Sequence, residues 1–289
     1  MTAQKVGLVL EGGGMRGAYT AGVLDAMMDA GIRFPYVIGV SAGANAGGNY
    51  VSGHRERSRP IFVDWVADKR YSGWGNFFSE GSYFGMNFLF RTLPDELVPL
   101  DYERLHRSET VFKVGITDCL TGEPVYFCQH DHEPRYFVDN IMRASSSLPL
   151  LAPPVRIGER DYYDGGVSDA IPIAQSLRDG NEANVIILTH NPGYRREPAG
   201  KNLLLDWVLR RYPKISEALR TRPERYNQWM DRIEQLEREG RVYLIQPRQK
   251  LTVDRMEQDL GKIEALYRQG YDEGLAQTAQ LREWLRRVE

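Results

Sequence analysis

The chain has 289 residues, 42% hydrophobic and 11% aromatic, and its 37 Lys and Arg against 39 Asp and Glu leave a formal net charge of −2. That length and apolar content suffice for one large α/β domain, alone or with an appendage, and exclude a disordered tail. The near balance of charge gives no general field for nucleic acid, so no nucleic-acid partner is expected, and an anionic or membrane partner would have to be met by a local patch.

The first residues, MTAQK, carry no basic segment leading into a long apolar stretch, and no run approaches ~18 apolar residues, so a cytoplasmic protein, possible peripheral membrane contact included, is expected. Val6–Leu10 reads as a buried strand. Tyr19, Val23, Leu24, Met27 and Met28 share one helical face, and Gly31 sits where a left-handed cap would end that helix. A strand over Tyr36–Val40 and a small-residue helix over 42–52 follow. The chain is aromatic and irregular over 71–90, then resumes with strands at 111–116 and 125–128 around the turn Leu120-Thr121-Gly122-Glu123. Cys119 and Cys128 flank that turn. A disulfide across the hairpin is geometrically open to them, but two thiols in so long a chain favour a reducing compartment. With neither C-x-x-C nor H-x-x-x-H spacing present, no metal and no cofactor is expected. A helix over 138–146, a strand at 161–163, a helix from about Pro172 and a strand over 185–189 continue the α/β alternation, which implies a mainly parallel sheet covered on both faces. Past residue 200 come long charged helices, 203–239 and 253–287, separated by the strand Val242–Ile245. The expected organisation is an α/β catalytic domain over 1–200 and a mostly helical extension over 201–289, whose strand is able to rejoin the main sheet.

The first strand runs into Glu11-Gly12-Gly13-Gly14-Met15-Arg16-Gly17, which fits G-x-G-x-x-G. A P-loop needs Lys and then Ser or Thr after the last glycine, and here Ala18 and Tyr19 follow. A dinucleotide fold needs an acidic residue at the end of the next strand to hold the ribose. That place is taken by Gly39-Val40-Ser41-Ala42-Gly43, a G-x-S-x-G sequence at a strand-to-helix turn, the arrangement that lifts a serine hydroxyl out at the head of a helix. The plainer alternative is a tight βα turn with a serine cap. If the two strands are neighbours, the amides of Gly12, Gly13, Gly14 and Met15 face the Ser41 hydroxyl as an oxyanion hole. Gly17, Gly39 and Gly43 would then serve close packing, and Arg16 either adds charge beside the loop or is a solvated first-turn arginine.

Serine needs a proton acceptor. His54, His106, His130 and His132 lie in polar or turn-like stretches. His190 ends a buried strand and with Asp164 would give the order Ser, Asp, His, although only one strand precedes the serine strand. Asp164-Gly165-Gly166 is the stronger candidate, since it ends the strand-like Tyr162-Tyr163 with glycines that free the backbone to aim a carboxylate; an ordinary Asp-Gly turn is the alternative.

Together EGGGMRGAYTAGVL, GVSAG and Asp164-Gly165-Gly166 resemble the patatin-like phospholipase family, over roughly residues 6–190. The block Ala144-Ser145-Ser146-Ser147-Leu148-Pro149 with Pro153-Pro154 is similar to the family's segment before the Asp strand, which helps shape the site. The resemblance implies a three-layer α/β/α fold, a Ser41–Asp164 dyad, the glycine loop as oxyanion hole with Arg16, Gly17, Gly39, Gly43 and Gly165 in support, and hydrolysis of a lipid or acyl-ester substrate. The C-terminal third resembles extensions on some bacterial relatives. A carboxylate with a pKa near ~3.9 is a poor base unless desolvation raises it, so modest turnover is expected. Trp74, Phe77, Phe78, Tyr83, Phe84, Met86, Phe88, Leu89 and Phe90 would form an acyl pocket or a membrane-touching flap, or simply core under a long loop. Arg210, Arg211, Lys214, Arg220, Arg222 and Arg225 would meet anionic head groups or form a solvated helix face. Two other classes stay open: a non-catalytic lipid-binding or interaction protein on the same fold, and a nucleotide-binding protein.

Overall fold

The computed structural model describes residues 6–200 and 203–288. The boundary expected at 200/201 abuts residues 201–202, which lie outside the described residues, as do residues 1–5 on which the reading of the N-terminus rests. Among the described residues eight strands form one sheet: Val6–Leu10 (β1), Tyr36–Val40 (β2), Val111–Asp118 (β3), Pro124–Cys128 (β4), Val155–Ile157 (β5), Arg160–Asp164 (β6), Ala183–Ile187 (β7) and Val242–Ile245 (β8). Their order is β5-β6-β3-β2-β1-β7-β8, with β4 pairing β3 beside that path. The run from β3 through β2, β1 and β7 to β8 is parallel, whereas β4, β6 and β5 are joined antiparallel.

β1, β2 and β7 are buried at every position, which is why they read as unbroken apolar runs rather than alternations. Leu8, Leu10, Val37, Val185 and Ile187 pack on one side with helices Gly17–Asp29 (α1) and Ala42–Val51 (α2). Val9, Ile38 and Ile186 pack on the other with Ile173 and with Tyr226, Met230, Ile233 and Leu236 of the Pro213–Arg238 helix. The sheet therefore has helices on both faces. The Leu260–Val288 helix lies directly on α1, so closely that a Cβ on Gly22 would collide with the Tyr267 carbonyl.

Three local expectations are corrected, and one strand, β5, has no counterpart among them. The helix read over 203–239 is two helices, Leu203–Val208 and Pro213–Arg238, because Pro213 opens the second at its first turn and disfavours helical backbone in the residue before it. The helix read from 253 starts at Leu260: the Asp254 side chain accepts the Met256 amide at 2.7 Å in a local turn, and Asp259 accepts the Lys262 amide at 3.1 Å as the cap. The strand read at 185–189 lies two residues earlier, and β5, only three residues long, is too short to carry a period-two signal. Gly31 does hold the left-handed cap, with φ 67°. Cys119 and Cys128 are unpaired thiols. Among the described residues no helix is long and apolar enough to cross a membrane.

Candidate active site

β1 and β2 pair in parallel with Leu10 opposite Gly39, so the loop after β1 and the turn after β2 emerge side by side. Ser41 occupies that turn with φ 56° and ψ −128°, outside the conformations an L-residue ordinarily adopts. The turn is held in place from outside. The Ser41 amide donates to Ser145 Oγ at 2.8 Å, and that hydroxyl donates to the Gly115 carbonyl of β3 at 2.7 Å. A Cβ on Gly43 would sit 2.6 Å from the carbonyl oxygens of Leu10 and Glu11, so α2 can start this close to β1 only with glycine there. Gly39 is equally close to α2, and Gly17 packs against Ala42.

A Cβ on Gly12 would lie 3.2 Å from Ser41 Cβ, which sets the loop directly against the serine. Its amides are not equivalent. Gly12 N–H donates to the Ala170 carbonyl at 3.2 Å and Met15 N–H to the Arg255 carbonyl at 3.2 Å. The amides of Gly13 and Gly14 have no acceptor among the described residues, and Gly14 turns the loop with φ 58°. Arg16 is half-buried, and its Nε finds no partner.

Asp164 ends β6, where it lies opposite Ile116 of β3, the strand next to β2. It is 1% exposed. Its Oδ1 accepts the Gly166 amide at 2.7 Å, while Oδ2 has no hydrogen-bond partner. Burial pushes the carboxyl up to about 6, against the Ser41 hydroxyl, the Gly166 amide and the guanidinium groups of Arg222 and Arg255, which all pull it down. Thr117 Oγ1 fixes the Asp164 carbonyl at 2.9 Å, and Gly165 passes flush against Gly115.

Glu11, at the start of the loop, is fully buried with the opposite outcome. Its Oε2 accepts the Thr189 amide at 2.6 Å and the Thr189 hydroxyl at 3.0 Å, and its Oε1 accepts Tyr226 Oη at 3.1 Å and lies 3.3 Å from His190 Nδ1. Burial opposes the charge, yet His190, Thr189 and Arg196 hold this carboxyl at about 2. His190 thus serves Glu11, stacked on Tyr194 at 3.8 Å between ring centroids, with its own pKa lowered by burial. Its contacts are with Glu11, Tyr194 and Tyr226 rather than with Ser41.

Ser41 lines a pocket of about 460 Å³ together with Gly14, Met15, Phe62, Tyr71, Met86 and Leu89 among others. A cavity of about 590 Å³ shares Asn45, Phe62, Tyr71 and Leu89 with it and continues inward to Leu105 and Val138. The aromatic stretch is therefore divided. Tyr83, Met86, Phe88 and Phe90 are buried, Phe84 and Leu89 face the pocket, and Trp74 and Phe78 stand 67% and 95% exposed. The basic run divides as well: Lys214 pairs with Glu217, Arg220 with Asp206, and Arg225 donates to the carbonyls of Val167 and Ala218. Arg222 instead turns inward, its Nη2 3.3 Å from where a Gly166 Cβ would be. It is neither a head-group residue on an open face nor a solvated one.

Ser145, Glu11, Arg222 and Arg255 gather at this site without having been singled out for it. Ser145 belongs to the 144–149 block and Glu11 opens the loop; Arg222 sits within a charged run, and Arg255 carries no local signal.

A family model described as "Patatin-like phospholipase" matches residues 8–177, and a second, a domain of unknown function, matches residues 212–286. An uncharacterized protein of Escherichia coli, YjjU, is 30% identical over 196 residues, 64% of this chain and 52% of its own length. A protein named lysophospholipase NTE1 from Meyerozyma guilliermondii is 28% identical over 62% of this chain and 12% of its own. The chain thus spans about half the length of the first relative and a small part of the second. Among solved structures, VipD from Legionella pneumophila shares the fold, with a TM-score of 0.53 at 14% identity over 99% of this chain and 67% of that one.

Proposed function

The chain belongs to the patatin-like phospholipase family, and on that premise we propose that it is a serine acyl hydrolase cleaving carboxylic esters of lipids, of the lipase, phospholipase A or lysophospholipase type. The observation that carries this reading is a strained, externally braced Ser41 beside a buried carboxyl with one unpartnered oxygen. Ser41 Oγ attacks the ester carbonyl carbon and passes its proton to Asp164. The tetrahedral oxyanion takes the amides of Gly13 and Gly14, the two loop donors not already spent on carbonyl groups. Collapse breaks the bond to the alcohol, which leaves with the proton, and water then releases the acyl group from Ser41 by the same route. Desolvation lifts Asp164 close enough to neutrality to act as a base. Gly12 and Met15 hold the loop rather than the oxyanion, and Arg16, Gly17, Gly39, Gly43 and Gly165 support it.

The apolar cavities beside Ser41 are suited to an acyl chain. A relative named as a lysophospholipase supports a lipid substrate. Residues 1–200 act as the catalytic unit and 201–289 as an extension that completes it, supplying edge strand β8 beside β7 and laying Arg222 and Arg255 against the site. Exposed Trp74 and Phe78 would rest on the membrane from which substrate enters. The test is hydrolysis of a chromogenic acyl ester together with fluorophosphonate labelling. Wild type should hydrolyse the ester and be labelled at Ser41 alone; a protein whose serine stays unlabelled is a lipid-binding protein on the same fold, and an S41A or D164A variant at wild-type rate removes the dyad.

A further inference from the structure

Beyond the dyad, arginines whose side chains make no hydrogen bond or salt bridge among the described residues collect around the glycine loop. Arg195, Arg220 and Arg225 each find carboxylates or carbonyls: Arg195 bonds Asp231 and Glu234 at 2.8 Å, Arg220 bonds Asp206 at 2.6 Å, and Arg225 bonds Ala218 O at 2.8 Å. Arg16, Arg196, Arg222 and Arg255 do not. All four are half-buried, the Nε atoms of Arg16, Arg196 and Arg222 are buried without an acceptor, and no side chain of the four forms a hydrogen bond or salt bridge among the described residues.

They converge from separate segments. The Arg255 backbone touches the loop at Gly14 and Met15, and Arg222 approaches Gly166 beside Asp164 while lining a cleft with Ser168, Asp169 and Ala170, the Asp169 carboxylate being engaged by the Tyr126 hydroxyl at 2.6 Å. The Ala170 carbonyl holds the Gly12 amide, so this cleft adjoins the loop. Arg196 lies 4.2 Å over the ring of Tyr226, whose hydroxyl reaches Glu11. Burial and then the charges of Arg196 and Arg255 lower Arg222 to about 9, so it is still protonated at neutral pH. The acidic groups that act on Arg16, Arg222 and Arg255 are Glu11 and Asp164, which leaves a surplus of positive charge matching a dianion. A half-buried, uncompensated cluster of this kind is costly unless an anion completes it.

We propose that Arg16, Arg196, Arg222 and Arg255 form a subsite for a phosphate dianion, the phosphomonoester end of an acylated substrate, with Arg196, Arg222 and Arg255 setting selectivity for that end group. This rests on the acyl-hydrolase reading of Ser41. Planar guanidinium forks suit phosphate oxygens, and the acyl pocket borders the same loop at Gly14 and Met15, the two residues that the Arg255 backbone touches. A zwitterionic phosphodiester offers one negative charge and brings a cation toward the arginines, so it is disfavoured.

The experiment compares lysophosphatidic acid with lysophosphatidylcholine on the full chain, alongside an uncharged chromogenic ester. Wild type should prefer lysophosphatidic acid in kcat/KM by about 10-fold or more, the scale of one charge-assisted hydrogen bond. R222Q and R255Q should bring the preference toward parity, chiefly through KM, and R222K should retain part of it. Calorimetric titration of S41A with inorganic phosphate should show saturable binding that R222Q weakens by about 10-fold. A preference unchanged in R196Q, R222Q and R255Q, or no phosphate binding by S41A, overturns the subsite. Phosphate binding without any substrate preference points to a free-anion site and overturns the end-group assignment. If wild type leaves the uncharged ester intact, the hydrolase reading fails by itself, while the titration still decides the subsite.

Discussion

Glu11, at the start of the glycine loop, and Asp164, at the end of β6, are both buried carboxyls, and they differ in what surrounds them. Glu11 receives the Thr189 amide and hydroxyl and the Tyr226 hydroxyl, lies 3.3 Å from His190 Nδ1, and is held at about 2; Asp164 receives one backbone amide and is pushed up to about 6. Equal burial thus gives one permanent anion that ties β1 to β7 and one carboxyl short of solvation, ready to take a proton. Glu11 braces the frame, and in the proposed dyad Asp164 would serve chemistry at the expense of stability.

The largest effect expected from breaking this contrast is catalytic. Ser41→Ala should lower ester hydrolysis by about 10³-fold or more, and Asp164→Asn by about 10²–10⁴-fold, in a chromogenic assay. Stability should then split in opposite directions. Asp164 is raised from its ordinary 3.8 to about 6, so the wild-type fold loses about 3 kcal/mol as pH rises through that window, and Asp164→Asn should melt roughly 5 °C higher at pH 7. Glu11 is depressed from 4.5 to about 2, so its stabilisation of about 3 kcal/mol is present above pH 4.5 and lost as pH falls toward 2; Glu11→Gln should melt roughly 5 °C lower at pH 7. Melting curves of the two variants that move the same way would remove the contrast.

A smaller effect sharpens the assignment of the base. The kcat/KM of wild type should climb about 10-fold from pH 5 to its plateau, with an apparent pKa near 6, as Asp164 loses its proton. A plateau extending unbroken below pH 5 would deny Asp164 that role. Smallest of all, Phe78→Ala should leave melting unchanged, since that side chain is 95% exposed, yet weaken sedimentation with phospholipid vesicles several-fold.

Much of the frame is legible one residue at a time. Buried parallel strands announce themselves as apolar runs, and glycines at 12–14, 39 and 43 mark where backbone must approach backbone. Helix limits in the last third were misread although their signals are local: Pro213 restarts a helix, and Asp259 caps one that the periodicity alone would begin earlier. The charged run over 210–225 misled for a different reason. Charge on a helix surface says nothing of which residue faces inward, and only the packing of Pro213–Arg238 across the sheet turns Arg222 toward Asp164.

By itself the sequence determined the α/β alternation, the strained turn at Ser41 and the glycine loop before it, because these depend on backbone geometry that few residue types permit. Tertiary structure decided which loop amides stay free, which of two buried carboxyls is starved of hydrogen bonds, and which arginines go unpaired. Those properties arise from neighbours far along the chain, such as Thr189 and Tyr226 around Glu11 or Arg255 on Met15. Solvation and charge balance are sums over such neighbours, so no local stretch of sequence contains them.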